Sequence, residues 1–193
     1  MPRSRFLALA ASVLMFAFAL VGTPAGAQQD KSKRPSPPGT ATFSFDDGGA
    51  ITVNYSRPKI NDPRSGQPRK IYGGLVPYGQ VWRAGANEAT SFVTQSNLTV
   101  GNMSVPAGSY TLYILPQQNS PWQLIISKKT GQWGIPYPGQ QDDLARINMK
   151  IERTPSTVQD FTISFDKLGP KAGVLKFDWE NTSASVDFSE ANK

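Results

Sequence analysis

Neither cysteine nor histidine occurs among the 193 residues, and the two absences together exclude whole classes of chemistry. Without a thiol there is no cysteine nucleophile, no disulfide and no lipid attachment of the lipoprotein kind. Without imidazole there is no Ser-His-Asp triad, no histidine general base and no histidine-held zinc or haem. Any catalysis would rest on carboxylates, Lys, Tyr, Arg, Ser or Thr. Helical periodicity is also scarce: Asp142 to Ile147 offers at most one turn. No cofactor and no metal is expected.

What is present begins with a targeting segment. Arg3 and Arg5 precede the apolar run Phe6 to Gly22, and Thr23-Pro-Ala-Gly-Ala27 supplies small residues for cleavage after Ala27. The run is shorter than the ~20 residues that span a bilayer. Residues 1–27 therefore read as a signal peptide, and the mature chain as periplasmic or extracellular with no membrane span. Cleavage removes two arginines and no acid, which lowers the formal charge from the +6 of the whole chain. The remaining excess is too diffuse for a nucleic-acid footprint. It is concentrated in residues 57–70, where Arg57, Lys59, Arg64, Arg69 and Lys70 face the single Asp62. Such a run is either a solvated loop or a basic rim that steers an anionic ligand.

Residues 28–40 (QQDKSKRPSPPGT) carry no apolar side chain other than proline and read as a flexible leader that does not pack. From residue 41 to 189 the pattern is that of strands. Phe43 and Phe45 lead to a turn at Asp46-Asp-Gly-Gly49, and Ile51, Val53 and Tyr55 alternate with polar partners, as in a hairpin. Tyr110 to Leu115 is apolar on both faces, as a central strand should be. The last third holds four amphipathic runs, marked by Ile147-Met149-Ile151, Phe161-Ile163-Phe165, Leu175-Phe177-Trp179 and Ala184-Val186-Phe188. Nine or ten short strands separated by turns predict an all-β fold, a single antiparallel β-sandwich.

One stretch escapes this alternation: Gly73 to Thr90, GGLVPYGQVWRAGANEAT. Arg57 and Arg83 are permanent charges with forked donors suited to carboxylate or phosphate. Tyr78 and Trp82 offer aromatic faces; Asn87 and Glu88 complete a polar set. Two readings stay open. In one, Glu88 pairs with an arginine, Asn87 bonds backbone and Trp82 fills the end of the sandwich. In the other, Arg57, Tyr78, Trp82, Arg83, Asn87 and Glu88 bind a small polar or anionic ligand, or a glycan.

The segments Tyr55-Ser56-Arg57-Pro58, GGLVPYGQVWR, GANEAT and the turn-and-strand Pro106-Ala-Gly-x-Tyr110-Thr-Leu112 resemble the marks of a family of exported bacterial proteins classed only as a domain of unknown function. The resemblance runs from about Phe43 to Phe188. It implies export and one all-β domain, and no established activity.

Three functions follow as expectations: a non-enzymatic ligand- or partner-binding module using residues 73–90, a carboxylate-dependent glycan hydrolase, or a structural envelope protein. The hydrolase needs a second carboxylate ~5–10 Å from Glu88, and Asp46, Asp47, Asp142 and Asp143 are the candidates. Neither Asp doublet has the spacing of a calcium loop. Trp133, Tyr137 and Tyr78 either stack on sugars or plug the end of the sandwich.

Overall fold

The alternating runs become ten strands in a computed structural model that describes residues 30–191. The expected signal peptide, residues 1–27, lies outside the described residues. In chain order the strands are β1 (Pro38–Ser44), β2 (Ala50–Ser56), β3 (Thr90–Thr94), β4 (Leu98–Val100), β5 (Met103–Val105), β6 (Gly108–Leu115), β7 (Gln123–Ser127), β8 (Asp143–Asn148), β9 (Lys150–Gly169) and β10 (Ala172–Glu190). They form two antiparallel sheets, one ordered β1-β2-β3-β6-β7-β8 and the other β5-β4-β10-β9. The fold is the all-β sandwich expected from the pattern.

Each sheet contributes its inward set to one core. Ile51, Val53, Phe92, Leu112 and Leu124 from the first face Phe161, Phe177, Trp179 and Phe188 from the second, all at most 4% exposed. The β1–β2 hairpin closes as its Asp-Gly pair dictates: Gly48 takes φ 93°, and the Phe45 N–H donates to the Gly49 carbonyl. Tyr55 fastens the two layers directly. Its hydroxyl accepts from the Ile163 amide at 3.0 Å and lies 3.4 Å from the Ile163 carbonyl, so a β2 side chain satisfies the backbone of β9.

Three expectations are corrected. The four amphipathic runs at the end of the chain are not four strands. The segment 147–152 is broken at Met149, where the chain leaves the six-stranded sheet and enters the other; Met149 is buried but Ile151 is 40% exposed. The remaining runs fuse into one long hairpin of β9 and β10. Register shifts on either side of Glu180, which itself has φ 56°, let Trp179 and Ala184 both face the core despite their odd spacing, as a bulge permits. Second, residues 142–147 form no helical turn: a 3-10 turn ends at Asp142 and β8 follows.

Third, the described part of the leader, residues 30–40, packs. Pro38 already belongs to β1, and the Arg57 amide donates to the Pro37 carbonyl at 2.8 Å. Residues 30–37 lie as a strap along the end of the sandwich. Apolar content was a poor guide here because the strap is held by polar bonds to residues 87 and 88, described below.

The basic loop after β2 also stays against the body. Pro58–Ile60 runs beside β9, with the Phe161 amide donating to the Pro58 carbonyl and the Ile60 amide to the Gln159 carbonyl. Ile60, Ile71, Tyr72 and Val76 then enter the core, which brings residues 57–70 and 73–90 to one end of the molecule.

Candidate functional site

Residues 73–90 have no strand period because they close the end of the sandwich. Trp82 exchanges both backbone bonds with Ile114 at 2.8 Å, beyond the point where β3 and β6 last pair at Thr90 and Leu112. This single bridge turns the Trp82 ring inward. It stacks on Trp179 at 5.7 Å and 21° and meets the edge of Phe161 at 5.0 Å, while its indole N–H donates to the Gly85 carbonyl at 3.0 Å. The Trp82 ring thus packs at the end of the sandwich.

The backbone then coils tightly. Ala84 and Asn87 take φ of 50° and 58°, and the Thr90 hydroxyl donates to the Ala84 carbonyl at 2.7 Å. Gly85 sits at a close approach: a Cβ there would stand 3.0 Å from Thr90 Oγ1 and 3.1 Å from the Ser56 carbonyl oxygen. The Gly-Ala-Asn-Glu run so formed presents residues 87 and 88 to the strap.

Asn87 Nδ2 donates to the Ser36 carbonyl at 2.9 Å and to Ser56 Oγ at 3.2 Å. Glu88 accepts from Arg34 Nη1 with both oxygens, at 3.0 and 2.8 Å, and from Lys31 Nζ at 3.0 Å. The Arg34 bond above all, with the backbone amide and Lys31, holds the Glu88 carboxyl at about 2. Glu88 is thus the arginine-paired carboxylate of the structural reading, and its partner is in the leader. Arg83 is not that partner.

Arg83 projects elsewhere. Its guanidinium lies 5.5 Å over the Trp133 ring and donates to the Trp133 carbonyl at 3.1 Å. Among the described residues it forms no ion pair within 4.0 Å. Burial pulls it below the usual guanidinium range, with Tyr113 and Glu88 opposing; it remains charged at any physiological pH.

Arg83 and Trp82 line a cleft of about 280 Å³ at this end of the sandwich. Its walls come from four further places: Pro35 and Ser36 of the strap, Lys59 and Arg69 of the basic loop, Ile135, and Trp179 of β10. No acidic side chain lines it. Arg69 donates to the Ile60 and Lys59 carbonyls at 3.2 and 2.7 Å and sits 3.7 Å from Asp62; Lys59 is 4.0 Å from Asp160. Trp179 is fully buried, and its indole N–H meets no acceptor among the described residues.

Of the six residues singled out in the sequence, the cleft joins two, Trp82 and Arg83. Glu88 lines a separate cavity of about 220 Å³ between strap and β2. Asn87 clamps the strap. Arg57 lies along the first strand, where a Cβ on Gly39 would come within 2.9 Å of its Cδ, and its Nε is buried without a partner among the described residues. Tyr78 is 37% exposed and covers Gly73, whose φ is 75°.

Lys59 and Arg69 were not among the six, although the basic run 57–70 was their signal. Arg34 and Ser36 had none, since nothing in a polar leader marks which residue will find a carboxylate. The Tyr137 hydroxyl donates to Asp143 and accepts from Arg146 at 3.0 Å, and burial, with Asp143, pushes it up to about 12. Trp133 stays 52% exposed beneath Arg83. Among the described residues, no group of three or more acidic side chains could hold a metal ion, and no helix is long and apolar enough to cross a membrane.

Compared with curated proteins and with solved structures, the chain matches none. Residues 36–188 match one family model, so that the strap residue Ser36, the basic loop and every cleft residue but Pro35 fall inside the shared domain, and the chain belongs to the family described as protein of unknown function, DUF2911.

Proposed function

We propose that the mature chain is an exported, non-enzymatic binding module for a small anionic ligand, taken up in the cleft between the basic loop and residues 73–90. One observation carries this reading: Lys59, Arg69 and Arg83 all line a concave space that holds Trp82 and no acidic side chain. Cations gathered in a low-dielectric concavity attract an anion more strongly than the same charges spread over a surface. Lys59 and Arg69 supply field, Arg83 supplies open donors, and Trp82 supplies the floor. Asn87 and Glu88 act indirectly by tying down the strap that carries Pro35 and Ser36.

The glycan-hydrolase alternative loses support at Glu88. A carboxyl held at about 2 by Arg34 and Lys31 carries no proton to donate near neutrality. It also faces the strap cavity, away from the cleft.

Thermal-shift titration of the mature protein with carboxylates, inorganic phosphate, neutral sugars and divalent cations tests the reading. An anion at 100 times its dissociation constant adds ~2.7 kcal/mol of stability, and sugars and cations add nothing. If no anion raises the melting temperature, or if Arg83→Gln leaves an anion's shift intact, the cleft is not the site.

A further inference from the structure

We infer that the ligand of this cleft is a monocarboxylate carried on an apolar body about the size of one ring, rather than a sugar, a phosphate or a polyanion. The inference rests on the cleft being the binding site and adds the class of ligand.

The cations decide the charge. Lys59 and Arg69 have acidic neighbours, Asp160 at 4.0 Å and Asp62 at 3.7 Å, and Arg69 has given its Nε and Nη2 to backbone carbonyls. Arg83 differs. It has no ion pair among the described residues, and only its Nη1 is engaged, with the Trp133 carbonyl. One uncommitted guanidinium fork matches one carboxylate, bound by two parallel N–H donors. A phosphate dianion or a dicarboxylate would bring a second charge to Lys59 and Arg69, each of which already has a carboxylate within 4.0 Å.

The rest of the lining decides the body. Trp82 forms the floor, with the buried Trp179 and Val76 behind it, and Leu75 and Ile135 stand at the rim, 47% and 67% exposed. Large aliphatic side chains left open to water beside a cavity are the places an apolar ligand would cover. Apart from the three cations and the indole N–H groups of Trp82 and Trp179, Ser36 and Asn61 are the only polar side chains in the lining. A sugar, with a hydroxyl on nearly every carbon, would surrender its hydration to a wall with almost no acceptors. The volume, about 280 Å³, lies just below the usual range for drug-sized ligands and suits a single ring.

Isothermal titration of the mature protein with phenylacetate, acetate, 2-phenylethanol, inorganic phosphate and glucose separates the terms. Phenylacetate should bind at least ~10-fold more tightly than acetate, which lacks the ring, and than 2-phenylethanol, which lacks the charge. Arg83→Gln should erase the preference of phenylacetate over 2-phenylethanol. Ile135→Ser, a change at an exposed position that leaves the core untouched, should weaken phenylacetate several-fold and leave acetate unchanged. Should phosphate or acetate bind as tightly as phenylacetate, the ligand class is wrong and the anion site stands. If none of the five binds, the site itself falls with it.

Discussion

Arg34 Nη1 bonds both carboxylate oxygens of Glu88, at 3.0 and 2.8 Å, across 54 residues of sequence. The pair joins the segment before the first strand to the one motif that breaks the strand pattern. Through it the strap becomes a wall of the cleft.

The first prediction concerns that pair. The Glu88 side chain is 42% exposed, so water screens the interaction and Arg34→Ala or Glu88→Gln should cost only the ~0.2–1 kcal/mol of an exposed ion pair. Hydrogen exchange in residues 30–37 should nevertheless quicken in both variants, and the double variant should cost less than the sum of the singles. Additive losses would mean that the two residues do not act together.

Acid should release the strap. Glu88 is held at about 2, below the ~4.3 of a free glutamate, so its contribution is fully present above the free value and is lost as pH falls through the held one. Exchange in residues 30–37 should therefore accelerate between about pH 4 and pH 2, and Glu88→Gln should flatten that dependence. An unchanged profile in the variant would assign the acid response to another group.

Tyr55→Phe should destabilise the domain by about 1–3 kcal/mol, out of proportion to the loss of one oxygen. The Ile163 amide, which donates to the Tyr55 hydroxyl at 3.0 Å, would be left buried and unsatisfied. Chemical denaturation reads the difference. A cost of a few tenths of a kcal/mol would show that water takes over the role.

Gly85→Ala should cost about 1–3 kcal/mol by overpacking, since the new methyl would press on Thr90 Oγ1 and the Ser56 carbonyl. Gly79→Ala, at φ 75° with open space around it, would incur backbone strain alone. Equal melting temperatures for Gly85→Ala and the parent chain would remove the close-approach argument.

Trp82→Ala should cost toward the lower end of the ~3–5 kcal/mol lost when a large aromatic leaves a packed core, because its partly buried ring contacts Trp179 and Phe161. Trp82→Phe should recover most of that stability. If Trp82→Ala melts with the parent chain, the ring is not part of the end closure.

The architecture was legible where burial alternates. Phe43, Ile51, Val53, Phe161 and Phe177 sit in the core because a period of two leaves only one face to bury, and the turn at Asp46 to Gly49 lies where its glycine permits a positive φ. The strand count at the end of the chain was less legible, because a bulge at Glu180 changes the face without ending the strand.

For the site, the residue types in 73–90 and the charge in 57–70 marked the two segments that form the cleft, and chain order alone could not say that they meet. By itself the sequence determined the all-β class, the hairpin turns, the absence of thiol and imidazole chemistry, and the exceptional character of residues 73–90, since each follows from local periodicity or composition. Only the tertiary structure decided that Glu88 pairs with Arg34 rather than Arg83, that Lys59 and Arg69 join Arg83, and that a polar leader packs. Those contacts span tens of residues, and a charge carries no sequence signal for which distant partner will neutralise it.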